Sequence, residues 1–210
     1  MLKKMNLPNK LTMLRIVLVP IFVVLMCLPE KIGEFALQPY ISYIALAVYV
    51  IAAFTDFLDG RISRKNKIVT KFGKIMDPLA DKLLVSTGFI MLTGIGLVPA
   101  WVTAIIVFRD FFVNALRMFG SDNSKDVAAG LSGKVKTLFQ MSATVLALVN
   151  FAFIPKIGFA GFMTESMNMG VLELLINVGM TVTIIGAVIT TVWSFVDYFL
   201  RFKEDINVVD

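Results

Sequence analysis

Apolar residues along this chain fall into six runs of near-membrane length, separated by short polar stretches. They cover Leu11–Leu28, Tyr40–Phe57, Leu79–Leu97, Ala100–Met118, Val135–Ile154 and Val171–Leu200. The hydrocarbon core of a bilayer takes about 20 helical residues, and runs of that length without strict alternation read as helices. The pattern predicts an all-α integral membrane protein with six transmembrane helices, built as a single domain over residues 1–210. The last run exceeds what a bilayer requires, so its helix should tilt or extend beyond it. Pro20 inside the first run predicts a kink. The basic start looks superficially like a signal peptide, but its apolar run is too long and LMCLPE offers no small-x-small cleavage site. It is therefore read as an uncleaved first span. Asn6–Asn9 around Pro8 is expected to form a short interfacial segment, with Arg15 snorkelling toward the surface.

The stretch between the second and third runs breaks the apolar pattern most strongly. Asp56 and Asp59 are spaced i,i+3 and Asp77 and Asp81 i,i+4, so on helices each pair projects from one face. Lys65-Asn66-Lys67, between the pairs, is the natural place for a turn. Two antiparallel helices packed about 8–10 Å apart would let the four carboxylates converge. Like charges that close raise one another's pKa or recruit cations. Two divalent ions would balance four aspartates, and an all-oxygen ligand set favours Mg2+ or Mn2+. The chain has no histidine and a single cysteine, Cys27, which excludes an ordinary zinc site. Without histidine, a general base near neutral pH must be a carboxylate, a lysine or something rarer. The simpler alternative pairs these aspartates with Arg61, Arg64, Lys74 and Lys82 at a membrane surface. Gly60 and Gly73, at matching places beside the two pairs, argue for a built site.

Composition and charge add an orientation. The chain is 58% hydrophobic with a mean hydropathy of +0.83, outside the range of a soluble domain. Counted together with the adjoining helix ends, from Arg15 to Lys136, eighteen of the twenty Lys and Arg fall at the N-terminal side, between the second and third runs, between the fourth and fifth, or after the sixth, leaving Lys31 and Lys156 for the other side. Both termini should then be cytoplasmic, with the aspartates at the cytoplasmic boundary. The net charge of +5 suits anionic lipid surfaces, not nucleic acid. Cys27 alone reads as a packed small side chain.

A second polar interruption lies in the fourth run, where Arg109, Asp110, Asn114 and Arg117 sit in an otherwise apolar helix. Arg109 and Arg117 fall within about 80° on a helical wheel. Gly133-Lys-Val-Lys-Thr137 opens the fifth run with Lys134 and Lys136. These four cations could form a pocket for a phosphate dianion. Alternatively Arg109 pairs with Asp110 or an acid on a neighbouring helix and the others snorkel. Both readings stand at this point.

Written as Asp56-x2-Asp59-Gly60-x3-Arg64-x8-Gly73-x3-Asp77-x3-Asp81, the central stretch resembles the signature of the CDP-alcohol phosphatidyltransferase family. Ser63 departs from the alanine usual before the arginine, but serine is also small. The opening NLPNKLTMLRIVLVP, the Arg109 to Arg117 run and Gly133–Thr137 extend the resemblance over most of the chain, weakest after about Asn150. Within the family they resemble members whose acceptor is sn-glycerol 3-phosphate, with Asp110 where glutamate is more usual.

The resemblance implies the family's fold and transfer of a phosphatidyl group from CDP-diacylglycerol to that acceptor, releasing CMP. It implies that Asp56, Asp59 and Asp77 hold two divalent ions, with Asp81 shared between metal binding and base duty. Gly60 would let the cytidine diphosphate approach the backbone, Arg64 would answer the pyrophosphate, and Thr70 would offer a hydroxyl. Asn9 and Thr12 are further nucleotide-site candidates, and Arg109, Arg117, Lys134 and Lys136 would bind the acceptor phosphate. A homodimer in the cell membrane, with its active site at the cytoplasmic face, is the expected setting. Three alternatives are weighed against it: the same chemistry on inositol phosphate, serine or phosphatidylglycerol; a cation transporter built on the aspartates; and a degenerate lipid-binding scaffold. A transporter predicts carboxylates at several depths, whereas these cluster at one face. A degenerate scaffold need not keep all four aspartates.

Overall fold

A computed structural model describes residues 7–32, 38–66, 71–121, 131–154 and 170–206. They form six α-helices: α1 (Leu7–Ile32), α2 (Gln38–Asn66), α3 (Lys71–Gly94), α4 (Ala100–Ser121), α5 (Leu131–Phe153) and α6 (Val171–Ile206). Each apolar run falls within one helix, apart from two C-terminal ends. The third run was expected to continue to Leu97, but α3 stops at Gly94. Gly96 takes φ = 79°, a conformation that costs other residues strain. Gly96 N then donates to Thr93 O at 3.0 Å and Leu97 N to Leu92 O at 2.9 Å, the paired bonds of a Schellman cap. Pro99 follows, and its carbonyl accepts from Val102 N at 3.0 Å to start α4. Ile154, the expected last residue of the fifth run, lies one residue past α5.

The N-terminus departs from expectation more. Helix α1 already begins at Leu7, so Leu7–Asn9 form its first turn, while Asn6 lies outside the described residues. Pro8 sits in the first turn, where a missing N–H costs nothing. The helix is continuous through Pro20. Arg15 does not snorkel: it is 0% exposed and among the largest fully buried side chains. Its distance from the start of α1, two turns in, places it between packed helices.

Helix α3 is central, packing on α1, α2, α4 and α5; α1 also packs on α2, α2 on α5, and α6 covers α4 and α5. The core between them includes Phe22, Tyr49, Leu84, Phe89, Ile106, Leu148 and Ile184. Helix α6 has the reverse of a soluble protein's pattern. Its exposed face carries Val182, Ile185, Ile189, Trp193 and Val196, while Asn177, Thr191 and Ser194 are buried. An apolar outside and a polar inside suit a lipid solvent. Among the described residues three helical segments are long and apolar enough to cross a membrane: Asn9–Leu28, Gly133–Phe153 and Val171–Leu200. The segment Tyr40–Thr55 is apolar but shorter. At 36 residues α6 is roughly 54 Å long at 1.5 Å per residue, and it runs on to Ile206 as its excess length predicts.

Candidate functional site

The two aspartate pairs lie on adjoining, mutually packed helices: Asp56 and Asp59 near the end of α2, Asp77 and Asp81 near the start of α3. Asp59 is seven residues before Asn66, the last of α2, and Asp77 six after Lys71, the first of α3. Both therefore lie about 9–10.5 Å along their helices from the connection between them. The side chains of Asp56, Asp59, Gly60, Arg64, Gly73 and Asp77 lie outside the described residues, as does Thr70 altogether. Asp81 is described and half-buried.

Helix α1 brings a cation to the level of the first pair. Phe22 and Tyr49 meet with ring centroids 5.3 Å apart. With α1 and α2 antiparallel, Arg15, seven residues before Phe22, is level with Asp56, seven after Tyr49. Thr12 is 0% exposed and Asn9 half-buried, so Asn9, Thr12 and Arg15 form an i, i+3, i+6 polar stripe. Neither Asn9 nor Thr12 lines the cavity described next.

Asp81 opens onto a cavity of about 240 Å³ between α3, α4 and α5. Its wall includes Lys82 from α3, Arg109, Asp110 and Asn114 from α4, and Lys134, Lys136 and Gln140 from α5. Of the expected acceptor-site residues, Arg109, Lys134 and Lys136 thus come together beside Asp81; the Arg117 side chain lies outside the described residues. Among the described residues four lining cations face two lining carboxylates, a formal excess of +2. That balance suits a phosphate dianion.

Asp110 organises these cations. It is 4% exposed, and its Oδ1 accepts from Arg109 Nη1 at 3.2 Å and from Lys136 Nζ. Its backbone carbonyl accepts from Lys82 Nζ at 3.2 Å. The pairing of Arg109 with Asp110 is therefore present, and so is the cationic pocket. The two readings of the fourth run are compatible, because an arginine has five N–H donors and a lysine three. A carboxylate amid three cations offsets their repulsion and keeps them at the wall. Lys136 is buried in that wall, while Lys134 is exposed at its rim. Thr137 Oγ1 donates to Gly133 O at 2.7 Å, satisfying a carbonyl in the first turn of α5.

Sequence reasoning missed three contributors. Gln140 lines the cavity at 0% exposure, Ser194 accepts from Arg109 Nη2 at 2.5 Å, and Thr191 accepts from Gln140 Nε2 at 3.2 Å. All three are neutral polar residues in apolar helices, where only the expense of burying them marks them out.

Comparison with known proteins places this geometry. The CDP-alcohol phosphatidyltransferase family matches residues 5–193. A relative from Bacillus subtilis (strain 168), named CDP-diacylglycerol–glycerol-3-phosphate 3-phosphatidyltransferase, is 42% identical over 153 residues, covering 70% of this chain and 79% of its own. A protein of the same name from Rickettsia typhi is 35% identical over 144 residues, 69% of this chain and 76% of its own. Another from Sodalis glossinidius is 29% identical over 208 residues, 97% of this chain and 98% of its own. The match runs through both aspartate-bearing helices and the cationic cavity beside them, and the chain belongs to the CDP-alcohol phosphatidyltransferase family.

Proposed function

We propose that this protein transfers the phosphatidyl group of CDP-diacylglycerol to sn-glycerol 3-phosphate, forming phosphatidylglycerophosphate and CMP for phospholipid biosynthesis. The observation that carries the choice of acceptor is the cavity beside Asp81, whose described lining residues bear a formal excess of +2. The relatives' shared name supports the same reading.

Asp81 is half-buried and opens onto the cavity, so it can take the proton of an acceptor hydroxyl held there. That hydroxyl oxygen bonds to the phosphorus next to diacylglycerol, and the bond from that phosphorus to CMP breaks. Arg109, Lys134 and Lys136, with Arg117 in the same set, hold the acceptor's phosphate. Gly60, Arg64 and Thr70, with Asn9 and Thr12 on α1, take the nucleotide side. Buried Arg15 adds a positive charge level with Asp56.

Asp56, Asp59, Asp77 and Asp81 fit a pair of divalent ions by their chemistry: oxygen donors only, on two packed helices, at similar distances from the connection. Bound there, Mg2+ or Mn2+ would neutralise the diphosphate and the departing CMP.

The proposal includes six membrane crossings with both termini in the cytoplasm, the site at the cytoplasmic face of the cell membrane, and a homodimer. The positive charge at the ends of the runs and the apolar outer face of α6 support the membrane placement. Release of CMP from CDP-diacylglycerol tests the function, with glycerol 3-phosphate, inositol phosphate, serine and phosphatidylglycerol compared as acceptors. Turnover should be fastest with glycerol 3-phosphate and should stop in excess EDTA. Preference for another acceptor would overturn the substrate, and full turnover in EDTA the metal site.

A further inference from the structure

Ser194 and Thr191 stand nearly one turn apart on the buried face of α6, 2% and 0% exposed. Among the described residues α6 lends no side chain to the cavity lining, yet these two hydroxyls each hold a residue that does. We infer that Ser194 and Thr191 are positioning residues for the acceptor, Ser194 setting the Arg109 guanidinium and Thr191 the Gln140 amide. The inference rests on the reading of the cavity as the acceptor's site.

The geometry of α4 explains why Arg109 needs a second support. Adjacent residues on a helix diverge by about 100°, so Arg109 and Asp110 do not face one another directly. A bond to Asp110 alone would let the guanidinium swing along the edge of α4. Ser194 comes from a different helix and engages the other terminal nitrogen, Nη2, at 2.5 Å. A planar fork held through both terminal nitrogens has its remaining N–H directions set. That orientation matters for a phosphate, which is recognised by the direction of donors as well as by charge.

Gln140 shows the same logic without charge. Its Nε2 is committed to Thr191, while its Oε1 makes no hydrogen bond among the described residues. A buried acceptor atom on the wall of a cationic cavity suits a hydroxyl of the acceptor. The bond to Thr191 fixes the position and plane of the amide beside the cavity.

The experiment uses the full-length enzyme in lipid vesicles and reads the two substrates' KM values separately by CMP release. Ser194→Ala should raise the KM for glycerol 3-phosphate about 3- to 10-fold, as expected for loss of one ordinary hydrogen bond, and leave that for CDP-diacylglycerol unchanged. Ser194→Thr, which keeps the hydroxyl, should restore it; Thr191→Val and Thr191→Ser should behave as the corresponding pair. Among the described residues Thr183 bonds only to the carbonyls of Gly179 and Met180 on its own helix, so Thr183→Val removes an α6 hydroxyl without touching the cavity. It should leave both KM values unchanged. Because Ser194 acts through Arg109, Arg109→Ala/Ser194→Ala should be no worse for the acceptor than Arg109→Ala.

Equal shifts in both KM values, the same shift in Thr183→Val, or additive losses in the double variant would overturn the inference. A raised acceptor KM in Arg109→Ala beside an unchanged one in Ser194→Ala would overturn it alone. An unchanged acceptor KM in Arg109→Ala would overturn the cavity reading beneath it.

Discussion

The seam between α5 and α6 buries polar side chains at two levels, with different consequences. At one, Asn150 Nδ2 donates to Asn177 Oδ1 at 2.7 Å, and Asn177 Nδ2 donates to Glu173 O at 2.9 Å. Both residues are 0% exposed, neither lines the cavity, and among the described residues their bonds join neutral groups. At the other, Gln140 bonds Thr191 beside Lys136, Asp110 and Arg109, on the wall of the cavity. The first is an interhelical clamp of the kind that small polar side chains make in membranes. The second gathers more charge than it neutralises and leaves room for a partner. Burying polar groups does not by itself mark a site; an uncompensated charge next to a cavity does.

Variants can break this contrast at either level. The largest expected effect is at Asp81, where Asp81→Asn keeps the shape and removes the base, and should lower the turnover rate about 10²- to 10⁴-fold. Near wild-type turnover at saturating Mg2+ would move the base elsewhere. Next is Asp110→Ala, which leaves Arg109 and Lys136 without their shared carboxylate. Stranding buried charge costs about 3–5 kcal/mol, so unfolding in detergent should shift by that order and the acceptor KM should rise. A variant of unchanged stability would show that Asp110 does not organise the cluster.

Between the two levels lies an apolar close approach that sharpens the comparison. A Cβ at Gly186 would fall 2.5 Å from Phe139 Cδ1 and 2.6 Å from its Cε1. Gly186→Ala should therefore cost about 1–3 kcal/mol of stability, partly recovered by Phe139→Leu. Smallest of all, Asn177→Ala should cost about 0.6 kcal/mol, the average for interhelical hydrogen bonds in a membrane, and leave both substrates' KM values alone. A changed acceptor KM in Asn177→Ala would erase the distinction between clamp and site.

How much of this could be read from the sequence follows from the same physics. The six helices were legible because an apolar run of membrane length has few other solutions, and the aspartate pairs because four carboxylates between such runs are too costly to be incidental. The capped end of α3 was not, since Leu97 continues the apolar pattern and only the φ of Gly96 ends the helix. Arg15 looked like a snorkelling residue because a cation near the start of an apolar helix resembles one; its burial depends on α2 and α3, which the local pattern of α1 does not contain. Arg109, Lys134 and Lys136 were legible as cations out of place in apolar surroundings. Asp110 beside them read only as a possible partner for Arg109, since its other cations come from α3 and α5. Gln140, Thr191 and Ser194 were invisible as site residues, because one neutral polar side chain in an apolar helix looks the same at a clamp as at a cavity.

The central claim is that the cavity beside Asp81 holds the acceptor by its phosphate. Comparing kcat/KM for glycerol 3-phosphate with that for glycerol, at fixed CDP-diacylglycerol and saturating Mg2+, tests it most directly. Charge-assisted hydrogen bonds are worth about 1.5–3 kcal/mol each, so losing two of them should make glycerol worse by at least about 100-fold. Lys136→Met should shrink that ratio by acting on glycerol 3-phosphate alone. Comparable turnover of the two acceptors in the unaltered enzyme would contradict the account.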